Sequence, residues 1–281
     1  MVTGIVRSVL LLAGVAAPAL ALRASQPSGP LQSCVVVHDV SANSSSRSDD
    51  ARCVTRLPPA STFKIPHALL ALDTGVVTAS RVEPWDGTAY PGRPTWQQDH
   101  TVVSAMRPSV VWFFQRIAPR VGADRMRDWL TRVEYGNVDT SGPVTRYWLN
   151  GRLRVSPDEQ VRFLRRFYER TLPASAAHMA TVQSSLAQDP GTVENARGVH
   201  PLGVSWRAGL TLNAKTGATT AADGTSVSWL VGRLTADGRH HVFASAVWQT
   251  RGEVDTLAGA RAAVRALSER GILQMAGAAA F

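Results

Sequence analysis

Lysine is nearly absent from this 281-residue chain: of 30 basic side chains only Lys64 and Lys215 are lysine, and the other 28 are arginine. Arginine stays protonated in folded proteins, whereas a desolvated lysine can shed its proton and act as a base or nucleophile. Two lysines in such a background are either survivors of a biased composition or positions that arginine cannot fill. Acidic residues are also in short supply, 21 against the 30 bases, for a net charge of +9. The arginines are scattered along the chain rather than clustered, which describes a solvated surface better than a nucleic-acid interface. No apolar run reaches the ~20 residues of a membrane span, so the chain is not membrane-integral. The seven histidines show no metal-ligand spacing, which argues against a metal-dependent hydrolase. With 44% hydrophobic and 18% charged residues the chain is neither disordered nor fibrous, and its length suits one large core or two lobes.

What is present begins with an address. Arg7 precedes an apolar stretch from Val9 to Leu20 that closes on Ala19-Leu20-Ala21, the small-x-small pattern of a cleaved secretory signal. Residues 1–21 are therefore expected to be a leader and residues 22–281 one exported domain, periplasmic in a cell with two membranes. Leu31-Gln32-Ser33-Cys34 faintly resembles a lipid-attachment site, but it lies well beyond the apolar run and has Gln where a small residue is expected. Cys34 and Cys53 are the only cysteines, and in an exported chain they invite a disulfide. Two separate buried thiols are the alternative, since sequence does not fix geometry.

Strand-like segments occupy both ends. Val35 to Val40 and Arg52 to Arg56 read as the arms of a hairpin around the polar loop Ser41 to Asp50. Leu210 to Lys215, Ser226 to Leu234 and His241 to Trp248 form a second group. The turn Ala236-Asp237-Gly238-Arg239 joins the last two strands. A helix from about Asp255 to Arg270 stops at Gly271. The middle is helical: Ser156-Pro157-Asp158-Glu159 is a capping box, and Val161, Leu164, Tyr168 and Leu172 recur on one face. Another helix starts near Ser109, breaks at Pro119 and resumes over Ala123 to Val133. Strands from both termini around a helical insertion predict one sheet lobe (residues 22–57 and 200–281), a helical lobe (58–199) and a cleft between them.

The chemistry gathers around the lysines. In Ser61-Thr62-Phe63-Lys64, a helix starting at Ser61 puts Lys64 one turn on, over the serine hydroxyl, beside backbone N–H groups that favour a developing oxyanion. A nucleophile with an adjacent potential base is the minimum for acyl transfer. Lys215-Thr216-Gly217 ends an apolar-alternating strand, where a cation and a hydroxyl can hold a carboxylate and Gly217 lets the backbone approach closely. Between them lie Ser109-Val110-Val111 and Tyr135-Gly136-Asn137. The second also reads as an ordinary helix-ending turn in which Gly136 supplies positive φ.

In order and spacing this set resembles the class D (oxacillinase-type) serine β-lactamases, from about Cys34 to Leu273. The chain has no Ser-Asp-Asn and no Glu-x-x-Leu-Asn, whereas Ser-x-Val at 109–111, Tyr-Gly-Asn at 135–137 and Tyr147-Trp148-Leu149-Asn150-Gly151 fit class D. The resemblance implies an α+β fold of the penicillin-binding-protein and serine β-lactamase type, an antiparallel sheet flanked by helices with the site beside a helical lobe. It implies hydrolysis of β-lactams, with Ser61 as nucleophile and Lys64 carboxylated by carbon dioxide as the general base. No cofactor beyond that carbon dioxide is implied. Phe63, Val111 and Leu149 are expected to desolvate Lys64 and keep its amine neutral, and Trp148 to donate its indole N–H to the carbamate; Val111 and Leu149 are also expected, with Thr216 and Gly217, to border the bound substrate and govern water access.

By the same resemblance the backbone N–H groups of Ser61 and Ala218 form the oxyanion hole, and Ser109 with Lys215 passes a proton to the leaving nitrogen. Thr216 and a C-terminal arginine bind the substrate carboxylate. Ala258-Gly259-Ala260-Arg261 matches the Ala-Gly-x-Arg of some members and suggests Arg261, while an ungapped match to others falls on Gly259. The segment Ala218 to Thr225 lacks the aromatic residue often found after the Lys-Thr-Gly glycine, which leaves substrate preference open. A β-lactam sensor domain, a peptidoglycan transpeptidase and a non-catalytic binding protein are the rival classes. Monomer and homodimer are both compatible with the sequence.

Overall fold

The computed structural model describes residues 1 and 29–276; the expected leader lies outside the described residues apart from residue 1. The main sheet has five antiparallel strands and is built from both ends of the chain, as the strand pattern predicts. In chain order its members are β1 (Gln32–Asp39), β2 (Ser44–Arg47), β5 (Thr211–Thr220), β6 (Thr225–Ala236) and β7 (Arg239–Thr250), lying side by side as β2-β1-β7-β6-β5. A small hairpin, β3 (Thr192–Asn195) with β4 (Gly198–Pro201), stands apart from it. The helices are α1 (Asp50–Cys53), α2 (Lys64–Asp73), α3 (Val111–Val121), α4 (Ala123–Arg132), α5 (Pro157–Tyr168), α6 (Ala176–Ser185) and α7 (Ala258–Glu269).

Alternation along the strands explains how one sheet serves two cores. Val36 of β1, Val227, Trp229 and Val231 of β6, and Val242, Ala244, Ala246 and Trp248 of β7 face the core shared with the helical middle. Their neighbours Val35, Val37, Leu230, Leu234 and Phe243 face α7 through Ala260, Ala263, Val264 and Leu267. Period-two side chains that are apolar on both faces make a sheet buried on both sides. The β6–β7 turn is the expected one, with Asp237 at φ 51° and Gly238 at φ 76°. The capping box also forms: Ser156 Oγ accepts from the Glu159 N–H at 3.2 Å, and Glu159 Oε2 accepts from the Ser156 N–H at 2.9 Å.

Three expectations are corrected. Arg52 to Arg56 is not a strand. Asp49 caps the single turn α1, its carboxylate accepting from the Arg52 N–H at 2.8 Å, so the capping preference of an aspartate outweighs the β-branched pair Val54-Thr55 that follows. The hairpin partner of β1 is instead the serine-rich β2, with Val36 opposite Arg47. The disulfide Cys34–Cys53 does form, with Cα atoms 5.3 Å apart, but it joins a strand to a helical turn rather than closing a hairpin. Finally, α3 carries Pro119 inside its last turn and the chain breaks at Gly122, at φ 87°.

Among the described residues no helix is long and apolar enough to cross a membrane, and no group of three or more His, Cys, Asp or Glu side chains is placed to hold a metal ion.

Candidate active site

A 3₁₀ turn over Ala60–Phe63 runs directly into α2, and every residue of α2 from Lys64 to Leu72 is buried. Ala60 sits at φ 50°, a conformation unfavourable to a residue with a Cβ, immediately before Ser61. The turn is anchored on several sides. Thr62 Oγ1 donates to the Pro59 carbonyl at 2.6 Å, Gln160 of α5 donates to Thr62 Oγ1 at 2.8 Å, and Trp229 of β6 donates to the Pro58 carbonyl at 2.9 Å. Gly217 of β5 packs against the same turn so tightly that a Cβ there would lie 3.0 Å from Thr62 Cγ2 and 3.2 Å from the Pro59 carbonyl oxygen. That approach is what a glycine after Lys215-Thr216 permits.

Lys64 Nζ lies 2.7 Å from Ser61 Oγ. The amine is fully buried and 5.4 Å from the Phe114 ring centroid, and burial, reinforced by the positive charge of Lys215, holds it well below the ordinary lysine range. One turn further, His67 is also buried, packed among Phe63, Phe114 and Trp148. Burial pushes its pKa down to about 3, so it adds no charge to the chamber. Phe63 stacks on Trp148 at 5.7 Å and meets Tyr147 edge-on at 5.4 Å. Trp148 Nε1 is buried and has no hydrogen-bond partner among the described residues. A buried, unmet N–H is costly unless it is kept for an acceptor.

Ser109 ends the tight turn ahead of α3, at φ 59°, and is 4% exposed. Lys215 is buried on β5, its Nζ 3.1 Å from the Thr216 carbonyl, and burial lowers its pKa to about 7 against a smaller opposing pull from Glu194. Because β5 is the edge strand of the sheet, one side is paired to β6 while the other is free to face the Ser61 turn. Ser61, Ser109, Thr216, Gly217 and Ala218 together line a cleft of about 130 Å³.

The remaining expected residues are placed differently. Val111 opens α3 and Leu149 follows Trp148, both half-buried against the same core rather than lining the cleft. Tyr135 is wholly buried, and burial raises its phenol pKa well above the usual value. Asn137 ties two loops together: its side chain accepts from the Arg154 N–H at 2.8 Å and donates to the Arg152 carbonyl at 2.9 Å. Gly136, at φ 60°, leaves no room for a Cβ, which would lie 2.0 Å from the Arg154 carbonyl oxygen. The Tyr-Gly-Asn segment thus braces the loop carrying Trp148. Arg261 is not brought to the cleft; it projects from α7 and pairs with Asp255 at 3.2 Å.

Five cleft walls went unforeseen: Arg93, Asn195, Ala196, Arg197 and Thr256. Asn195 and Arg197 belong to the β3–β4 hairpin, for which no strand was expected. The Asn-Ala-Arg-Gly turn at 195–198 was the only local signal available. A larger hollow, about 390 Å³, lies around Asp39, Arg207 and Asp237; the last two pair with each other, and none of its walls belongs to the cleft.

The chain matches the penicillin binding protein transpeptidase domain family over residues 33–269. It is 35% identical over 185 residues to Regulatory protein BlaR1 of Bacillus licheniformis, an alignment covering 65% of this chain and 28% of that protein. It is 40% identical over 144 residues to Beta-lactamase OXA-2 of Salmonella typhimurium, covering 51% of this chain and 52% of the relative. The chain therefore spans about half, or less, of the length of these two relatives. Among solved structures, Class D beta-lactamase BAT-2 superposes with a TM-score of 0.72 at 32% identity, over 86% of this chain and 92% of that one.

Proposed function

Because the chain belongs to the penicillin-binding-protein transpeptidase family and to its class D β-lactamase branch, we propose that it hydrolyses β-lactams through an acyl-enzyme on Ser61. The observation that carries this reading is the 2.7 Å contact between Ser61 Oγ and a fully buried Lys64 held below its ordinary pKa. Ser61 Oγ attacks the lactam carbonyl while its proton passes to the Lys64 side chain, and the carbonyl C–N bond breaks as the ring opens. Backbone N–H groups of Ser61 and Ala218 receive the developing oxyanion. Ser109, relayed by Lys215, returns a proton to the departing nitrogen. Water then attacks the ester carbonyl, and Ser61 leaves as a hydroxyl.

Carbon dioxide joined to the neutral Lys64 amine supplies an anionic base at this position. The residues fit it: Lys64 is desolvated, and Trp148 Nε1, on the ring stacked against Phe63, is a donor without a partner among the described residues. His67 and Phe114 pack against one another beside the Lys64 amine. The Cys34–Cys53 disulfide supports an oxidising compartment, in keeping with export by the residues 1–21 leader.

A penicillin-sensing role is the second reading, favoured by the likeness, at 30% identity and a TM-score of 0.73, to the C-terminal domain of the Bacillus licheniformis BlaR penicillin-receptor. The two readings share every step up to the acyl-enzyme and differ in its fate. Turnover of a chromogenic cephalosporin by the purified chain separates them: many equivalents opened per chain supports the hydrolase, and arrest after one supports the sensor.

A further inference from the structure

A β-lactam of the penicillin type carries a carboxylate next to its lactam nitrogen, and a cation must meet it. Arg261 is already bonded to Asp255 at 3.2 Å and lies outside the cleft. Gly259 has no side chain to offer, and a Cβ there would lie 2.7 Å from the Ser228 carbonyl oxygen, so α7 seats against β6 only because the position is bare. The helix that was expected to supply the arginine therefore supplies none.

The β3–β4 hairpin presents one instead. Asn195 and Gly198 are paired, leaving Ala196 and Arg197 as its tip, and Asn195 Oδ1 accepts from the Arg197 N–H at 2.7 Å. The hairpin is tied to β5 at the Lys-Thr-Gly segment. Thr216 Oγ1 donates to the Glu194 carbonyl at 3.4 Å, and Gln188 bridges the two by accepting from the Glu194 N–H at 2.8 Å and donating to the Ala214 carbonyl at 3.0 Å. The Glu194 carboxylate is occupied by Arg107 at 3.0 Å, so it does not neutralise its neighbour. Arg197 lines the cleft beside Thr216 and Ala218, and its guanidinium has no hydrogen-bond or ion-pair partner among the described residues. Asp255, whose carboxyl feels the Arg197 charge, is bonded to Arg261. Arg93 also lines the cleft, but its guanidinium lies over the Trp96 ring at 4.8 Å.

We infer that Arg197 is the specificity-determining cation that receives the substrate carboxylate, together with the Thr216 hydroxyl, so that this chain reads the anion from its β3–β4 hairpin rather than from α7. The inference rests on the acyl-transfer reading of Ser61. A planar guanidinium at a fixed turn can hold a carboxylate through two N–H groups.

The test compares a penicillin with its methyl ester on the full chain. In Arg197→Gln, KM for the acid is expected to rise about tenfold or more with kcat nearly unchanged, while KM for the ester stays put. Arg197→Lys is expected to recover part of the loss. An unchanged preference for acid over ester in Arg197→Gln overturns the assignment. So does an equal collapse of that preference in Arg93→Gln or Arg261→Gln with Arg197→Gln inert. If instead the unsubstituted chain takes up neither compound on Ser61, the acyl-transfer reading itself has failed, which is a different result.

Discussion

The indole Nε1 of Trp229, midway along β6, donates to the carbonyl of Pro58 at 2.9 Å, so a residue 171 positions away fixes the start of the turn that carries Ser61. Sheet and nucleophile are joined by that bond and by the close seat of Gly217 on Thr62. Trp229→Phe keeps most of the buried ring and removes the donor. It is expected to cost about 1–3 kcal/mol of stability, because a buried carbonyl loses its partner. The acylation rate should fall further than KM changes, and a chemical melt paired with single-turnover acylation checks both.

Gly217→Ala tests the same seat from the strand side. The added Cβ meets Thr62 and the Pro59 carbonyl at 3.0–3.2 Å, so the turn must shift by a few tenths of an ångström. Acylation of Ser61 is expected to slow by about 10–100-fold, as misplacement of a reacting group does. A change confined to the melting temperature would count against this role.

Lys215 gives a pH dependence with a definite sign. Burial lowers its pKa to about 7 from an ordinary 10.5, so the folded chain releases this proton first. Between about pH 7 and 10.5 the unfolded chain binds more protons, and stability climbs across that window; below pH 7 the penalty of a buried cation is fully present. Its part as the relay that reprotonates the lactam nitrogen runs the other way, since the donatable proton is lost above pH 7. The acylation rate of Ser61 is expected to fall about tenfold between pH 7 and 8.5, and Lys215→Met should flatten that fall at a lower overall rate. Parallel pH profiles of single-turnover acylation and of denaturant midpoint check the two signs.

Trp148→Phe preserves a ring against Phe63 while deleting the partnerless Nε1. Activity at ambient carbon dioxide is expected to fall at least about tenfold and to be recovered by added bicarbonate, with the half-saturating bicarbonate concentration raised by a similar factor. Equal bicarbonate dependence in both proteins contradicts a donor role for Trp148.

The disulfide closes a short loop, the cysteines being 19 residues apart. Reduction, or Cys34→Ser with Cys53→Ser, should lower unfolding free energy by about 3 kcal/mol with little effect on kcat, because the bond lies in the sheet–helix layer and not among the cleft walls. Denaturant titrations with and without reductant give the value.

Much of this arrangement was legible because its signals are local. The β6–β7 turn is announced by Asp237-Gly238, the start of α5 by Ser156 and Glu159, and the reactive pair by one helical turn between Ser61 and Lys64. What was hidden depends on partners distant in sequence or on competing local preferences. Asp49 turns Asp50–Cys53 into a helix, although the flanking valine and threonine favour a strand. Phe114 reaches Lys64 only because α3 packs across α2, and Arg197 reaches the cleft only because Thr216 and Gln188 hold its hairpin against β5. Neither residue belongs to a recognisable pattern. Arg261 illustrates the converse: its sequence neighbours fit, but on α7 its side chain turns to Asp255.

The most direct measurement is a time course of intact mass and peptide mapping on the purified chain mixed with excess penicillin. The account predicts one added penicillin on the peptide containing Ser61, and loss of that adduct, with the unmodified mass restored, once the substrate is consumed. An adduct that persists at one equivalent, one that maps to another residue, or no adduct while substrate disappears would contradict it.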